Sequence, residues 1–306
     1  MDKVKAFYLK INREQPYTIK NLSYWLQIVA LFPDYKKYIL CDNDGLAEKV
    51  QREINVDWRD IAFIQSEREA EELNYIIQNV ANERWKNAGL AHLTTFYHAK
   101  KNGVSQFWNI DADDTVFCVT KEKVAEILNT VEDYAMKDEQ FGVIGLDMWY
   151  TFTKALHWSF GITYTNMDFD WFKVMKEHAT DSVFKSNYDK RIQPQNIDGY
   201  FSYLRDFVLD KQYLKTFCVN NLRFIHYADD FFKRPISSGM FKWQDDFLIL
   251  SILAYCFEDE TCGKIRIPED VVKFEINLNI DDFRAAMDLY PSENLIEKRE
   301  WLNGFR

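Results

Sequence analysis

Residues 107–117 read FWNIDADDTVF, and this segment decides how the rest of the chain is interpreted. It begins with apolar and aromatic residues, which predict a buried strand. Three carboxylates, Asp111, Asp113 and Asp114, then follow within four residues. A buried strand cannot hold three unpaired carboxylates, because each would lose its hydration without compensation. We therefore expect the acidic cluster at the exposed end of the strand, beside a cation.

The spacing of the first two carboxylates indicates which kind of cation to expect. Asp111 and Asp113 are two residues apart, and an extended backbone points such side chains to the same side. Carboxylate oxygens suit a hard divalent cation such as Mg²⁺ or Mn²⁺, with a phosphate group completing its coordination. An acidic turn that caps the next helix, predicted from Lys121 to Thr130, is the simpler alternative. The buried strand that precedes the motif favours the metal site.

Length and composition exclude several classes of protein. The chain has 306 residues, of which 47% are hydrophobic and 28% charged, enough for one large domain or two. Its net charge of −10 argues against a nucleic-acid-binding surface, which needs clustered Lys and Arg. The longest apolar run, Phe247 to Phe257, is too short to span a bilayer, and no signal segment follows Met1. We expect a soluble, cytoplasmic protein.

Cysteine usage agrees with a reducing compartment. No Cys-X-X-Cys pair occurs, the number of cysteines is odd, and most of them lie in apolar runs: Cys41, Cys118, Cys218, Cys256 and Cys262. This pattern predicts reduced, buried thiols rather than a disulfide framework or a zinc site.

The first third of the chain alternates between apolar strands and helical stretches. Strands are predicted at Lys5–Ile11, Tyr38–Cys41 and Ile61–Gln65, and helical regions at Ile19–Leu31, Leu46–Ile54 and Glu69–Lys101. This alternation predicts an α/β fold with a largely parallel sheet and helices on both faces. Ligands bind such sheets beyond the carboxyl ends of the strands. Asp42 in the turn 42–45 and the cluster 111–114 both fall at such ends, so Asp42 is a candidate ligand-binding residue.

Glycine distribution excludes the common phosphate-binding loops. The first glycine is Gly45, so no glycine-rich loop follows the first strand. A dinucleotide fingerprint and a P-loop both need glycines there to bring the backbone close to phosphate. The same absence counts against a sugar-phosphate nucleotidyltransferase. A bound nucleoside diphosphate would therefore depend on a metal and on basic side chains.

The middle of the chain adds one further carboxylate of interest. A helix is predicted at Lys121–Met136, strands at Phe141–Leu146 and Phe160–Asn166, and a helix at Asp170–His178. A further helix begins near Asn196, with Asp198 in its first turn. Helix capping is the better interpretation of a lone aspartate there. Its place in the chain order, after the later strands, makes Asp198 a candidate catalytic residue.

A second informative segment lies at residues 224–235, FIHYADDFFKRP. His226 closes an apolar strand and Lys233 begins a Lys-Arg-Pro turn. The pair can offer an imidazole to a metal and an ammonium to a phosphate. A lone histidine is more often structural, but together with the earlier Asp-X-Asp the ligand interpretation is preferred.

These two segments resemble GT-A-fold glycosyltransferases. Residues 110–116, IDADDTV, resemble the Asp-X-Asp strand end of the glycogenin and bacterial lipopolysaccharide galactosyltransferase family, and residues 225–235 resemble its His and Lys segment. The resemblance implies that Asp111, Asp113 and His226 bind Mn²⁺ and that Lys233 reaches the donor diphosphate. Asp114 would then hold donor hydroxyls.

The resemblance covers roughly residues 3–235 and has a rival. The glycine that precedes the lysine in that family is replaced here by residues 229–232. The segment 87–89, Asn-Ala-Gly, resembles instead the large inverting family of polysaccharide glycosyltransferases. In that family an aspartate at a helix start acts as general base, and Asp198 falls in about that place. Retention and inversion both stay open.

The chain divides into two parts on this interpretation. Residues 1–235 form a GT-A nucleotide-sugar-binding and catalytic domain, and residues 236–306 a helical extension packed on it. Helices are predicted there at Trp243–Phe257, Asp281–Leu289 and Pro291–Leu302. The basic residues Lys298, Arg299 and Arg306 could contact an anionic membrane surface peripherally, although a solvated face is the simpler interpretation.

The predicted function is metal-dependent transfer of a hexose. The resemblance implies a nucleoside-diphosphate sugar as donor, with UDP as the nucleotide. It implies as acceptor a saccharide or glycolipid of bacterial surface polysaccharide or lipopolysaccharide synthesis. A metal and Lys233 would stabilise the charge that develops on the departing phosphate. A non-catalytic glycan- or metal-binding module and a metal-dependent phosphohydrolase are the alternatives from other classes.

Overall fold

The computed structural model describes residues 3–11, 18–78, 80, 83–112, 121–137, 142–145, 148–150, 156–158, 161–181, 197–209, 214–219 and 272–274. Within these ranges the strands are β1 Lys5–Lys10, β2 Lys36–Leu40, β3 Ile61–Ile64, β4 Gln106–Asp111, β5 Val143–Gly145, β6 Met148–Tyr150, β7 Leu156–Trp158, β8 Ile162–Asn166, β9 Leu214–Val219 and β10 Val272–Phe274. The helices are α1 Thr18–Val29, α2 Asp44–Glu53, α3 Glu71–Ile76, α4 Glu83–Lys101, α5 Lys121–Met136, α6 Trp171–His178 and α7 Ile197–Tyr203.

Eight of the described strands form one mixed sheet. Their order is β10-β9-β5-β8-β4-β1-β2-β3, and β6 pairs separately with β7. Strand β8 runs antiparallel to both of its neighbours, whereas the other pairs in the large sheet are parallel. The α/β class expected from the sequence, a largely parallel sheet flanked by helices, is therefore confirmed.

Each face of the sheet carries its own hydrophobic core. Alternate residues of β1 divide between them, with Phe7 and Leu9 on the side of α1 and α5 and Ala6 and Tyr8 on the side of α4. Strand β4 divides in the same way, because Trp108 packs with Phe7 and Phe107 packs with Tyr8. Successive side chains of a strand point to opposite faces of the sheet. Because both faces are covered here, the side chains on each face are apolar.

Helix α4 returns the chain to the start of β4 and ends at a glycine. Gly103 has φ +62°, a left-handed conformation that favours glycine. Its N–H donates to the Lys100 carbonyl at 3.4 Å, and the next N–H, of Val104, donates to the Ala99 carbonyl at 2.9 Å. This pair of bonds is a Schellman cap, which turns the chain directly into the central strand.

The long helical region predicted at Glu69–Lys101 consists of two helices, α3 and α4. After α3 ends at Ile76, the Gln78 N–H donates to the Tyr75 carbonyl at 3.4 Å and the Val80 N–H donates to the Ile77 carbonyl at 3.0 Å. These bonds span three residues, as in turns, and do not continue the four-residue spacing of an α-helix.

The last part of the chain contributes to the sheet as well. Strand β10 lies in the predicted extension 236–306 and pairs in parallel with β9. The three helices predicted in that extension lie outside the described residues, as does the strand predicted before His226. No helix in the described ranges is both long and apolar enough to cross a membrane.

Candidate active site

The acidic strand ends predicted from the sequence meet at one edge of the sheet. Strands β2 and β4 flank β1, and all three run parallel, so their carboxyl ends share that edge. Asp111 is the last residue of β4, and Asp42 follows β2 by two residues. We call the side chains gathered there the rim: Lys10, Asp42, Ser66, Arg68, Asn87, His92 and Asp111.

Asp111 is buried, and this corrects the expectation that it lies exposed. Its side chain is only 10% exposed, and its carboxylate Oδ1 lies 2.8 Å from the ammonium Nζ of Lys10. The two residues are direct partners in the β1–β4 register. The sequence predicted a cation beside this carboxylate, and on the Oδ1 side that positive charge is the ammonium of Lys10. A buried carboxylate is tolerated there because its charge is paired.

His92 of α4 completes this cluster. The Lys10 ammonium lies 2.9 Å from His92 Nε2 and closer still to Nδ1, while His92 Nε2 lies 3.9 Å from Asp111 Oδ2. An ammonium only donates hydrogen bonds, so the imidazole nitrogen facing it acts as acceptor. The three side chains fasten β1, β4 and α4 together at the rim.

Asp42 holds the loop that follows β3. Its carboxylate accepts hydrogen bonds from the Ser66 backbone N–H at 2.7 Å, from the Ser66 hydroxyl at 2.8 Å and from Arg68 Nη2 at 2.9 Å. Arg68 also donates from Nη1 to Asn87 Oδ1 on α4 at 3.2 Å. About half of the Arg68 side chain remains exposed. The rim thus presents a guanidinium beside a carboxylate to solvent.

A neutral aromatic layer lies beneath the rim on the same face of β1. The Tyr8 hydroxyl and His98 Nδ1 are 2.9 Å apart, and the Tyr8 ring stacks on Tyr38 at 5.0 Å. Burial raises the pKa of Tyr8 and lowers the pKa of His98, so both stay neutral at pH 7.

The helix that carries Asp198 begins near the same edge. Asp198 lies in the first turn of α7, and the preceding residue, Ile197, is buried against Gly89 of α4. Gly89 is one helical turn before His92. The backbone at Asp198 therefore lies at the end of α4 that faces the rim.

The remaining predicted site residues, Asp113, Asp114, His226 and Lys233, lie outside the described residues. Among the described ones, no group of three or more His, Cys, Asp or Glu side chains is placed to hold a metal. Asp111 is the one expected ligand within these ranges, and Lys10 engages its Oδ1. A carboxylate has lone pairs on both oxygens, so ligation through Oδ2 is compatible with the ion pair.

Sequence reasoning did not select Lys10, His92 or Arg68. A signal existed for Lys10, since it is a charged residue at the end of an apolar strand, as Asp111 is. No sequence pattern marked His92 or Arg68, because a histidine in a helix and an arginine in a loop are recognised as site residues only from the side chains around them in the fold.

No protein-family model matches this sequence, and no curated protein sequence matches it. Among solved structures, the mannosyltransferase Ktr4p from S. cerevisiae aligns with 58% of this chain at 8% identity and a TM-score of 0.33. An active-site mutant of LgtC, and the galactosyltransferase LgtC in complex with donor and acceptor sugar analogs, each align with 57% at 13% identity and a TM-score of 0.34. The alignments span 61% of the Ktr4p chain and 65% of each LgtC chain, less than two thirds in every case.

Proposed function

We propose that this chain is a glycosyltransferase that moves a hexose from a nucleoside-diphosphate sugar, with UDP as the expected nucleotide, to a saccharide acceptor. The observation that supports it best is the rim. Two acidic strand ends, with Asp42 after β2 and Asp111 at the end of β4, flank β1 at the carboxyl edge of a mostly parallel sheet. That edge is where α/β sheets bind their ligands.

The chemistry of the rim suits a donor of this kind. Arg68 offers a guanidinium to negative or carbonyl groups. Asp111, Asp113 and His226 are the proposed ligands of a divalent cation, Mn²⁺ or Mg²⁺, with Lys233 at the diphosphate and Asp114 at donor hydroxyls. Such a cation, when bound, stabilises negative charge on the departing phosphate.

An inverting polysaccharide glycosyltransferase is the second candidate, and one observation favours it. Asn87 accepts a hydrogen bond from Arg68 at the rim, and Gly89 packs against Ile197 at the start of α7. The segment 87–89 therefore joins the rim to the helix that carries Asp198. In this version Asp198 takes the proton of the acceptor hydroxyl as general base. In the retaining version it stabilises the positive charge of the sugar.

The biological setting follows the resemblance described for the sequence. The acceptor would be a saccharide or glycolipid of bacterial surface polysaccharide or lipopolysaccharide synthesis. The protein would be cytoplasmic, and any membrane contact would be peripheral, at the inner face.

A thermal-shift screen of nucleotide sugars with and without Mn²⁺ tests the proposal. A donor at 100 times its Kd should raise the free energy of unfolding by about 2.7 kcal/mol. The donor that stabilises the chain most is then assayed for hydrolysis and transfer, and the anomer of the product separates inversion from retention. Binding without hydrolysis or transfer would instead indicate a non-catalytic module. Absence of any stabilising nucleotide sugar would contradict the proposed function.

A further inference from the structure

Two buried threonines of β8 have hydroxyls without a hydrogen-bond partner in the described part of the chain. Thr163 and Thr165 are fully buried, and neither Oγ1 atom lies within hydrogen-bond reach of a described polar group. The buried hydroxyl of Thr95 on α4, in contrast, donates to the His92 carbonyl at 2.7 Å. Because an unsatisfied buried hydroxyl costs free energy, native structures pair nearly all of them with protein or with ordered water.

Both hydroxyls lie on the face of the sheet that carries α4. The intervening residue, Tyr164, belongs to the core on the side of α1 and α5, and successive side chains of a strand point to opposite faces. Thr163 is the direct partner of Asn109 in the β4–β8 register. Asn109 is also fully buried, and the Cβ atoms of such directly opposite residues are about 4.5–5.5 Å apart. Three polar side chains therefore lie close together on one buried face of β4 and β8.

We infer that Thr163, Thr165 and Asn109 bind an ordered water molecule between the sheet and the helices of this face. A buried water molecule typically makes about three hydrogen bonds to polar groups of the protein. Each hydroxyl donates one hydrogen bond and accepts others, and an amide has four hydrogen-bonding positions, so Asn109 binds the water in addition to its other contacts. Thr163 and Thr165 are about 7 Å apart along the strand, so a water molecule between them reaches both hydroxyls.

This water site lies at the one antiparallel junction between β4 and the rest of the described sheet. Strand β8 runs antiparallel to β4, and the Asp111 backbone N–H at the end of β4 donates to the Gly161 carbonyl at 2.7 Å. Asn109 is two residues before Asp111 and therefore lies one row beneath it on the same face. A water molecule bound there joins the side chains of the two strands beneath the rim. The inference holds whether or not the chain transfers a sugar.

Two hydroxyls in a dry interior are the alternative, and this alternative predicts a stability change of the opposite sign. Thr163→Val replaces the hydroxyl by a methyl group and keeps the branched shape of the side chain. If the hydroxyl is dry, valine removes an unsatisfied polar group, and the melting temperature should stay the same or rise. If the hydroxyl binds water, valine removes one of its partners, and the melting temperature should fall by roughly 2–4 °C.

Oxygen-17 magnetic relaxation dispersion on the full chain counts the water molecules that stay inside the protein for longer than its tumbling time. We expect Thr163→Val and Thr165→Val each to lose about one such water molecule and to melt at a lower temperature than the wild type. Thr163→Ser keeps the hydroxyl and should keep the water. Thr95→Val is the matched control, because Thr95 is equally buried but its hydroxyl has a protein partner. Its water count should equal that of the wild type.

Two results would overturn the inference. One is a folded Thr163→Val variant that keeps the wild-type number of long-lived water molecules. The other is a high-resolution crystal structure of the wild type with no water molecule within hydrogen-bond distance of the Thr163 and Thr165 hydroxyls. The crystallographic test needs no substituted protein, so it decides the question even if the valine variants do not fold.

Discussion

Lys10 and Asp111 end neighbouring parallel strands in direct register, with 2.8 Å between Nζ and Oδ1, and neither side chain is more than 10% exposed. The first carboxylate of the Asp-X-Asp segment thus has a cation of the chain beside it. The first prediction therefore concerns the second carboxylate of that segment, Asp113.

Asp113→Asn should abolish Mn²⁺-dependent transfer while the fold is kept. The change removes one negative ligand from the proposed site but preserves the shape of the side chain. Transfer rates at limiting Mn²⁺ measure the effect. Asp60→Asn is the control, because Asp60 is an exposed carboxylate that precedes β3 at the opposite edge of the sheet. An Asp113→Asn enzyme with the wild-type rate would remove Asp113 from the site.

His226→Ala should weaken the binding of Mn²⁺ and of UDP together. Both depend on the same coordination shell if the histidine is a ligand. Calorimetric titration of the folded variant with each ligand, and with both, measures the change. A structural histidine would instead lower the melting temperature and leave both affinities intact in the folded fraction.

Asp198→Asn should reduce turnover by roughly two to four powers of ten while donor binding persists. Asparagine keeps the shape of the side chain and caps a helix as well as aspartate does, so a capping role alone predicts little change in stability or rate. Single-turnover kinetics at saturating donor measure the effect. Near-normal turnover would return Asp198 to a structural role and leave the catalytic carboxylate unidentified.

Stability should fall steeply with rising pH above about pH 10. Burial raises the pKa of Tyr8, Tyr164 and Tyr200 above the ordinary value of 10.0. Above pH 10 the unfolded chain releases these protons and the folded chain keeps them, so stability is full below pH 10 and is lost as the pH rises. Each tyrosine contributes a loss of about 1.4 kcal/mol per pH unit.

Urea unfolding curves recorded between pH 8 and pH 12, at intervals of about one pH unit, measure the free energy of unfolding and check this dependence. Tyr8→Phe should reduce the loss of unfolding free energy above pH 10 by the contribution of one tyrosine, about 1.4 kcal/mol per pH unit. Tyr75→Phe should leave the slope unchanged, because Tyr75 is 46% exposed. Equal slopes in the wild type and Tyr8→Phe would contradict the expected titration.

Gly103→Ala should lower the free energy of unfolding by roughly 1–2 kcal/mol. The added Cβ meets no atom within 4 Å, so the cost comes from the left-handed φ of +62° alone. Gly45→Ala is the control, since Gly45 lies in α2 with no positive φ and its new Cβ would stand 3.4 Å from Asn43 Oδ1. Equal effects of the two substitutions would refute the strain argument.

Much of this architecture was predictable from local patterns. The alternation of apolar strands and helical stretches predicted the parallel part of the sheet, because period two and period 3.6 are properties of short segments. The positions of Asp42 and Asp111 followed from the same patterns, since the end of a strand is visible as the end of an apolar run. The division of the region Glu69–Lys101 into α3 and α4 was not predicted, because the residues on both sides of the break favour a helix.

Tertiary structure decided the electrostatics. Sequence indicated that a carboxylate ends β4, but only strand pairing brings Lys10 beside it and only the path of α4 adds His92. The same holds for Glu132 of α5, a buried carboxylate that accepts hydrogen bonds from Lys5, Tyr35 and Trp108. Hydrophobic periodicity is encoded residue by residue, whereas the partner of a buried charge is set by register between segments far apart in the chain.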